Sequence, residues 1–129
     1  MARSTSSQPT EVELQILSVL WELGPCTVRQ VHQALAEQRD TGYSTTLKMM
    51  QVMLEKGLLS RDETVRPQMY RAAQSKQKTQ VQMLDDLANK AFHGSAMRLV
   101  MRMVSAGRLS PAELEEIQKL AAESKGAEA

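Results

Sequence analysis

Cysteine occurs once, as Cys26, so neither an intrachain disulfide nor a four-cysteine zinc site can form. One Phe, one Trp and two Tyr are too few for the stacked-ring platform that single-stranded nucleic acid needs. Charge of one sign is equally scarce. The 16 Lys+Arg and 15 Asp+Glu leave a formal net charge of +1, which excludes a uniformly basic nucleic-acid coat and an acidic tail protein alike. No apolar run approaches the ~20 residues of a membrane span, and the amino end has no secretory hydrophobic stretch. A soluble, cytoplasmic protein without membrane insertion is expected. What is present is ordinary for a globular chain of 129 residues: 42% hydrophobic and 24% charged, with nine methionines available to fill a core.

The pattern of apolar residues predicts a mainly α chain with one small β-hairpin. Residues 1–8 are small and polar and read as a disordered lead. Thr10 and Glu13 have the spacing of a capping box. Val12, Ile16, Val19, Leu20 and Leu23 then recur at helical period, with Trp21 on the flank, until Gly24-Pro25 stops the helix. Thr27 and Gln30 repeat the capping signal for a short helix ending near Glu37, whose apolar side is Val28, Val31, His32, Leu35 and Ala36. A third helix is predicted from about Ser44 to Lys56, closed by Gly57. Residues 58–62 and Met69–Ala72 read as strands around a tip containing Pro67. An isolated hairpin is marginal in water, so it must pack on the helices, which is the winged form of a helix-turn-helix. The remainder is helical. Val81, Leu84, Leu87, Ala88, Ala91 and Phe92 stripe one helix over 76–92, His93-Gly94 breaks it, and Ser95 opens another to about Ala106. Ser110-Pro111-Ala112-Glu113 starts a last helix expected to bury Leu114, Ile117, Leu120 and Ala121. The expected organisation is a winged-helix DNA-binding domain over 9–73, a helical dimerisation domain over 74–123 and a frayed tail over 124–129.

On a helical wheel the third helix puts Thr46, Met49, Met50 and Met53 on one face and Ser44, Lys48, Gln51 and Glu55 opposite. If the first set faces the core, the second faces away from it. Short polar side chains and a lysine near a helix N-terminus suit reading of base edges in the major groove. Arg61, Arg66 and Arg71 on the hairpin are placed to straddle the neighbouring phosphates. The alternative is a merely solvated helix face, which Glu55 and the near-neutral net charge favour.

Other tempting residues read more simply. Cys26 before a helix is a structural residue rather than a redox switch, and Trp21 a core residue rather than a ligand sensor. His32 and His93 lack partners at metal-ligand spacing, so no metal or other cofactor is expected. No nucleophile–base pair or phosphate-cradling loop is present, so the chain is not expected to be an enzyme. The helix after Ser95 is apolar on two sides, with Met97, Val100, Met101 and Val104 on one and Ala96, Leu99 and Met103 on the other. Such a helix is normally covered on both sides, and about 50 residues supply little cover, so a second copy of the chain is the natural one.

Several ordered motifs carry a family likeness. Glu13-Leu14, Leu17, Trp21 and Thr27-Val28-Arg29-Gln30-Val31-His32 come first, followed by Tyr43-Ser44-Thr45-Thr46, Met49-Met50 and Glu55-Lys56-Gly57-Leu58. Phe92-His93-Gly94-Ser95 and the run from Leu109 to Glu116 complete the series. Over roughly residues 9–121 the chain resembles the penicillinase repressor family. The resemblance implies a homodimeric winged-helix transcriptional repressor, with contacts to double-stranded operator DNA at Ser44, Thr45, Leu47 and Lys48. Gln51, Arg61 and Arg66 complete the expected DNA-binding set. The chain departs from the family at Leu47, where some members place a basic residue, and at Val52, where an Arg is common, which is expected to weaken the salt-dependent backbone attraction. Family operators contain TACA and TGTA half-sites. The resemblance also implies dimerisation through the carboxyl-terminal region. It further implies release by a membrane sensor metalloprotease that cuts within the fifth helix, between Asn and Phe in well-known members of the family. The aligned bond here is Arg102–Met103. A ligand-sensing regulator with a pocket in the dimer lobe, and an interaction module that has lost DNA binding, remain the alternatives.

Overall fold

The computed structural model describes residues 8–128, with side chains through Ser124; of the lead expected over residues 1–8, residues 1–7 lie outside the described residues. The chain divides into two compact units at Met83/Leu84. The first contains α1 (Glu11–Leu23), α2 (Val28–Leu35), α3 (Tyr43–Glu55), β1 (Leu59–Asp62) and β2 (Met69–Ala72). The boundary falls within α4 (Lys76–Ala91), and α5 (Ala96–Ser105) and α6 (Pro111–Glu128) belong to the second unit.

Both predicted capping boxes at the start of α1 and α2 are formed. The Thr10 hydroxyl accepts from the Glu13 amide while the Glu13 carboxylate accepts from the Thr10 amide, and Thr27 and Gln30 do the same. Each box satisfies two amides that a helix start leaves orphaned. The strands pair antiparallel with Leu59 opposite Ala72 and Asp62 opposite Met69. Cys26, between α1 and α2, adds a single-pair antiparallel bridge to β2. Its backbone exchanges bonds of 2.9 and 2.7 Å with Tyr70, so the wing is stitched to the helices by main chain.

Ile16, Leu17 and Leu20 of α1, Val31 and Leu35 of α2, and Met50 and Met53 of α3 form the core, closed by Leu59 and Tyr70 from the hairpin. Fully burying an aliphatic side chain of this size contributes roughly 1.5–3 kcal/mol, so this cluster dominates the unit's stability. One polar clamp crosses it. Glu13 is buried, and Lys56, just past α3, donates to both of its carboxylate oxygens at 2.9 Å. One carboxylate therefore caps α1 and fixes the far end of α3. Glu13→Ala leaves the Thr10 hydroxyl on the amide of residue 13 but deprives the Thr10 amide and Lys56 of their acceptor; we expect a loss of about 1–3 kcal/mol in a urea titration. A loss under a few tenths would show that neither function matters.

Several details differ from the sequence reading. Leu23 lies on the periodic stripe but is exposed, because α1 outlasts the core beneath it. The second helix ends at Leu35, so Ala36 is an exposed cap rather than a core residue. Tyr43 rather than Ser44 is the first residue of α3, with Gly42 as its N-cap. The expected burial along α6 is not present within one chain: Leu114 is half-buried, but Ile117, Leu120 and Ala121 are exposed. On α4, Val81, Leu84 and Leu87 are exposed while Ala88 is buried. The tail expected to fray from Ser124 continues as helix to Glu128.

Candidate nucleic-acid interface

The N-terminus of α3 has no side-chain cap, since Gly42 offers none, and its first helical bond is Thr46 N–H to Gly42 O at 3.1 Å. The preceding amides therefore point outward at the positive end of the helix dipole, which suits a negatively charged partner. Position comes from the neighbouring helix. Thr46 is fully buried, and its hydroxyl donates to Gly42 O at 3.4 Å. That leaves its oxygen to accept from His32 Nδ1, 3.3 Å away on α2. The His32 ring also meets Tyr43 edge-on, with centroids 5.8 Å apart. Arg39 secures the intervening loop, bonding Gln15 of α1 at 3.0 Å and Thr41 at 3.4 Å.

The outward side of α3 presents Ser44, Thr45, Lys48, Gln51, Val52 and Glu55, all exposed. Among the described residues Lys48 has no carboxylate partner, so its charge is free for an external anion. Leu47 is different: it is half-buried and packs on the core. A leucine here gains by turning inward, where a basic residue would have to stay in water. Ser44, Thr45, Lys48 and Val52 also line one groove together with Thr10, the N-cap of α1, and Val12 of α1.

The wing brings its arginines together less freely. Arg61 lies with its guanidinium 5.9 Å from the Tyr70 ring centroid, bonds the Tyr70 hydroxyl at 3.5 Å and pairs with Glu63 at 3.5 Å. Arg66 donates to two carbonyls of its own tip, Glu63 O at 2.7 Å and Val65 O at 3.1 Å. Arg71 is exposed and donates to Ser60 across the register. Hydrogen bonds from the Thr64 hydroxyl and amide hold the Asp62 carboxyl below its ordinary range and fix the start of the turn. Burial pushes the Cys26 thiol up, away from the reactive thiolate, in keeping with its place under the wing.

In the second unit, taken by itself, Ser95 caps α5, and Ser110 with Glu113 forms a third capping box. Met97 and Met101 of α5 are 69% and 60% exposed, and Leu120 of α6 is 67% exposed. Val100, Met103 and Val104 are exposed as well, while Leu99 is half-buried. Arg102 and Met103, the candidate cleavage bond, lie in the last turn of α5, both exposed. Met97 and Met101 also line a groove with Phe92, His93 and Arg98, on the same apolar face. Among the described residues, no helix is long and apolar enough to cross a membrane.

Sequence reasoning missed His32 as the bracket of α3 and Cys26 as a rung of the wing. A buried threonine on the predicted inner face of α3 needed a polar partner, and His32 on the apolar side of α2 was within reach; that signal was available. The Cys26–Tyr70 rung had no local signal.

Three helices and a hairpin, with the third helix projecting an exposed polar face beside the wing, define a winged-helix DNA-binding regulator. The model of the penicillinase repressor family matches residues 9–123, and the chain belongs to that family of transcriptional repressors. It is 28% identical over 115 residues to the transcriptional regulator BlaI of Mycobacterium tuberculosis strain CDC 1551 / Oshkosh, covering 88% of this chain and 82% of the relative. The same protein of strain ATCC 25618 / H37Rv matches to the same extent.

Proposed function

We propose that this repressor acts in the cytoplasm as a homodimer that occupies a pseudo-palindromic operator and blocks transcription by occupancy. The carrying observation is the pairing of two surfaces. The first unit offers an outward polar face with an unpaired Lys48, and the second offers an apolar face that water covers poorly. Residues 9–73 then serve as the DNA-binding domain and 74–123 as the dimerisation domain. Ser44, Thr45, Lys48 and Gln51 meet the major groove, with Leu47 at its inner edge, while Arg61 and Arg66 lie along the wing. The interface is formed by Met97, Leu99, Val100, Met101, Met103 and Val104.

Lys48→Ala tests the reading. On a duplex carrying TACA and TGTA half-sites, binding should weaken by about 1–3 kcal/mol, with relaxed preference at the base Lys48 contacts. Unchanged affinity on that duplex and on a random one would remove α3 as the reading element.

Release belongs to the same proposal. A cut at Arg102–Met103 by a membrane sensor metalloprotease would divide α5 and break up the apolar face that holds the dimer. In a host challenged with β-lactams, an immunoblot should show loss of the full-length chain as repression lifts. Derepression with the chain intact would overturn cleavage and favour a ligand bound in the Met97–Met101 groove.

A further inference from the structure

We propose that Arg29 of α2, held over the ring of Tyr43, is a phosphate-binding residue that clamps the DNA backbone beside the reading helix. This rests on the DNA-binding reading above. The guanidinium carbon of Arg29 lies 5.1 Å from the Tyr43 ring centroid, within the range of cation–π attraction. Both residues are exposed. Among the described residues Arg29 has no carboxylate partner and no hydrogen-bond acceptor, unlike Arg61, Arg66 and Arg71. Its five N–H groups are therefore unspent, on a side chain whose position is already restrained. Tyr43 is itself braced by the edge of His32, so the arginine rests on a fixed support.

The position is apt for a phosphate and poor for a base edge. Tyr43 is the first residue of α3, one step before Ser44 at the start of the reading face. A planar guanidinium matches phosphate oxygens bidentately. The surroundings of α3 also leave room for such a contact. Leu47 and Val52 are apolar and the three wing arginines are bonded within the wing, so among the described residues Lys48 is the cation on α3 itself that has no carboxylate partner.

The experiment is a salt titration of binding by the full chain, on a TACA/TGTA duplex and on a random-sequence duplex of equal length. Arg29→Gln should weaken both complexes by the same factor. It should also make the log–log salt slope shallower by about 0.9 per protomer, or about 1.8 for a dimer. Arg29→Lys should keep most of the slope. Unchanged affinity and slope in Arg29→Gln, with Lys48→Ala still impaired, would overturn this inference and leave the DNA reading standing. A loss confined to the half-site duplex would make Arg29 a base reader and overturn it too. A loss of affinity with an unchanged slope, matched by Tyr43→Leu, would reduce Arg29 to a support for Tyr43. A wild-type chain that binds neither duplex would defeat the DNA reading and this inference together.

Discussion

Met101→Glu should convert the proposed dimer to monomer and lower operator affinity by about 10²–10⁴-fold, the factor that linking two half-sites typically provides. Met101 is 60% exposed in the single chain, so a glutamate is harmless there. In an interface the same carboxylate must leave water without a partner, which costs far more than the lost methionine contact. The effect therefore falls on association and not on folding. Sedimentation should report a monomer while the melting temperature of the winged-helix unit stays within a degree or two of wild type. Met97→Glu, one turn earlier on the same face, should behave alike. A Met101→Glu protein that sediments as a dimer and still binds tightly would place the interface elsewhere.

The two substitutions probe a distinction that the sequence could carry only in part. Local signals were legible: Thr10 with Glu13 and Thr27 with Gln30 are capping boxes because each depends on residues three apart. The inward face of α3 was legible too, since period alone sets Thr46, Met50 and Met53 apart from Ser44, Lys48 and Gln51. Period does not say whether an apolar face is covered. Leu23, Leu84, Ile117 and Leu120 all lie on proper stripes, yet each is exposed within one chain. Covering depends on what the rest of the molecule brings, and for α5 and α6 the proposed dimer would supply it. Long-range pairings were equally out of reach. The clamp between Glu13 and Lys56 spans 43 positions, and the inward turn of Arg61 depends on which residue its register partner happens to be. Arg61 faces Tyr70 across the hairpin, and the aromatic ring draws in a charge that the sequence alone would leave outside.

Met53→Ala should destabilise the winged-helix unit by about 2–5 kcal/mol, against a total of about 5–15 kcal/mol for a domain of this kind. Met53 is fully buried on α3 and belongs to the cluster that holds this helix against α1, α2 and β1. Two terms compete. The lost transfer energy and the cavity push the figure up, while a neighbouring methionine, Met50, can shift its flexible chain to fill part of the void. That relaxation favours the lower half of the range. Even 2 kcal/mol shifts the melting temperature by roughly 10 °C in a unit this small. Met53→Leu, which nearly conserves volume, should lose less than about 1.5 kcal/mol. The reading face is untouched by either change, so at a temperature where both variants are fully folded their operator affinities should equal that of wild type. If folded Met53→Ala protein binds DNA more weakly, Met53 sets the placement of α3 as well as the unit's stability. A destabilisation below 1 kcal/mol would mean that α3 is held mainly by the Glu13–Lys56 clamp and the His32–Thr46 bond. The double variant Met53→Ala with Glu13→Ala separates those cases, because independent anchors add their losses and a shared one does not.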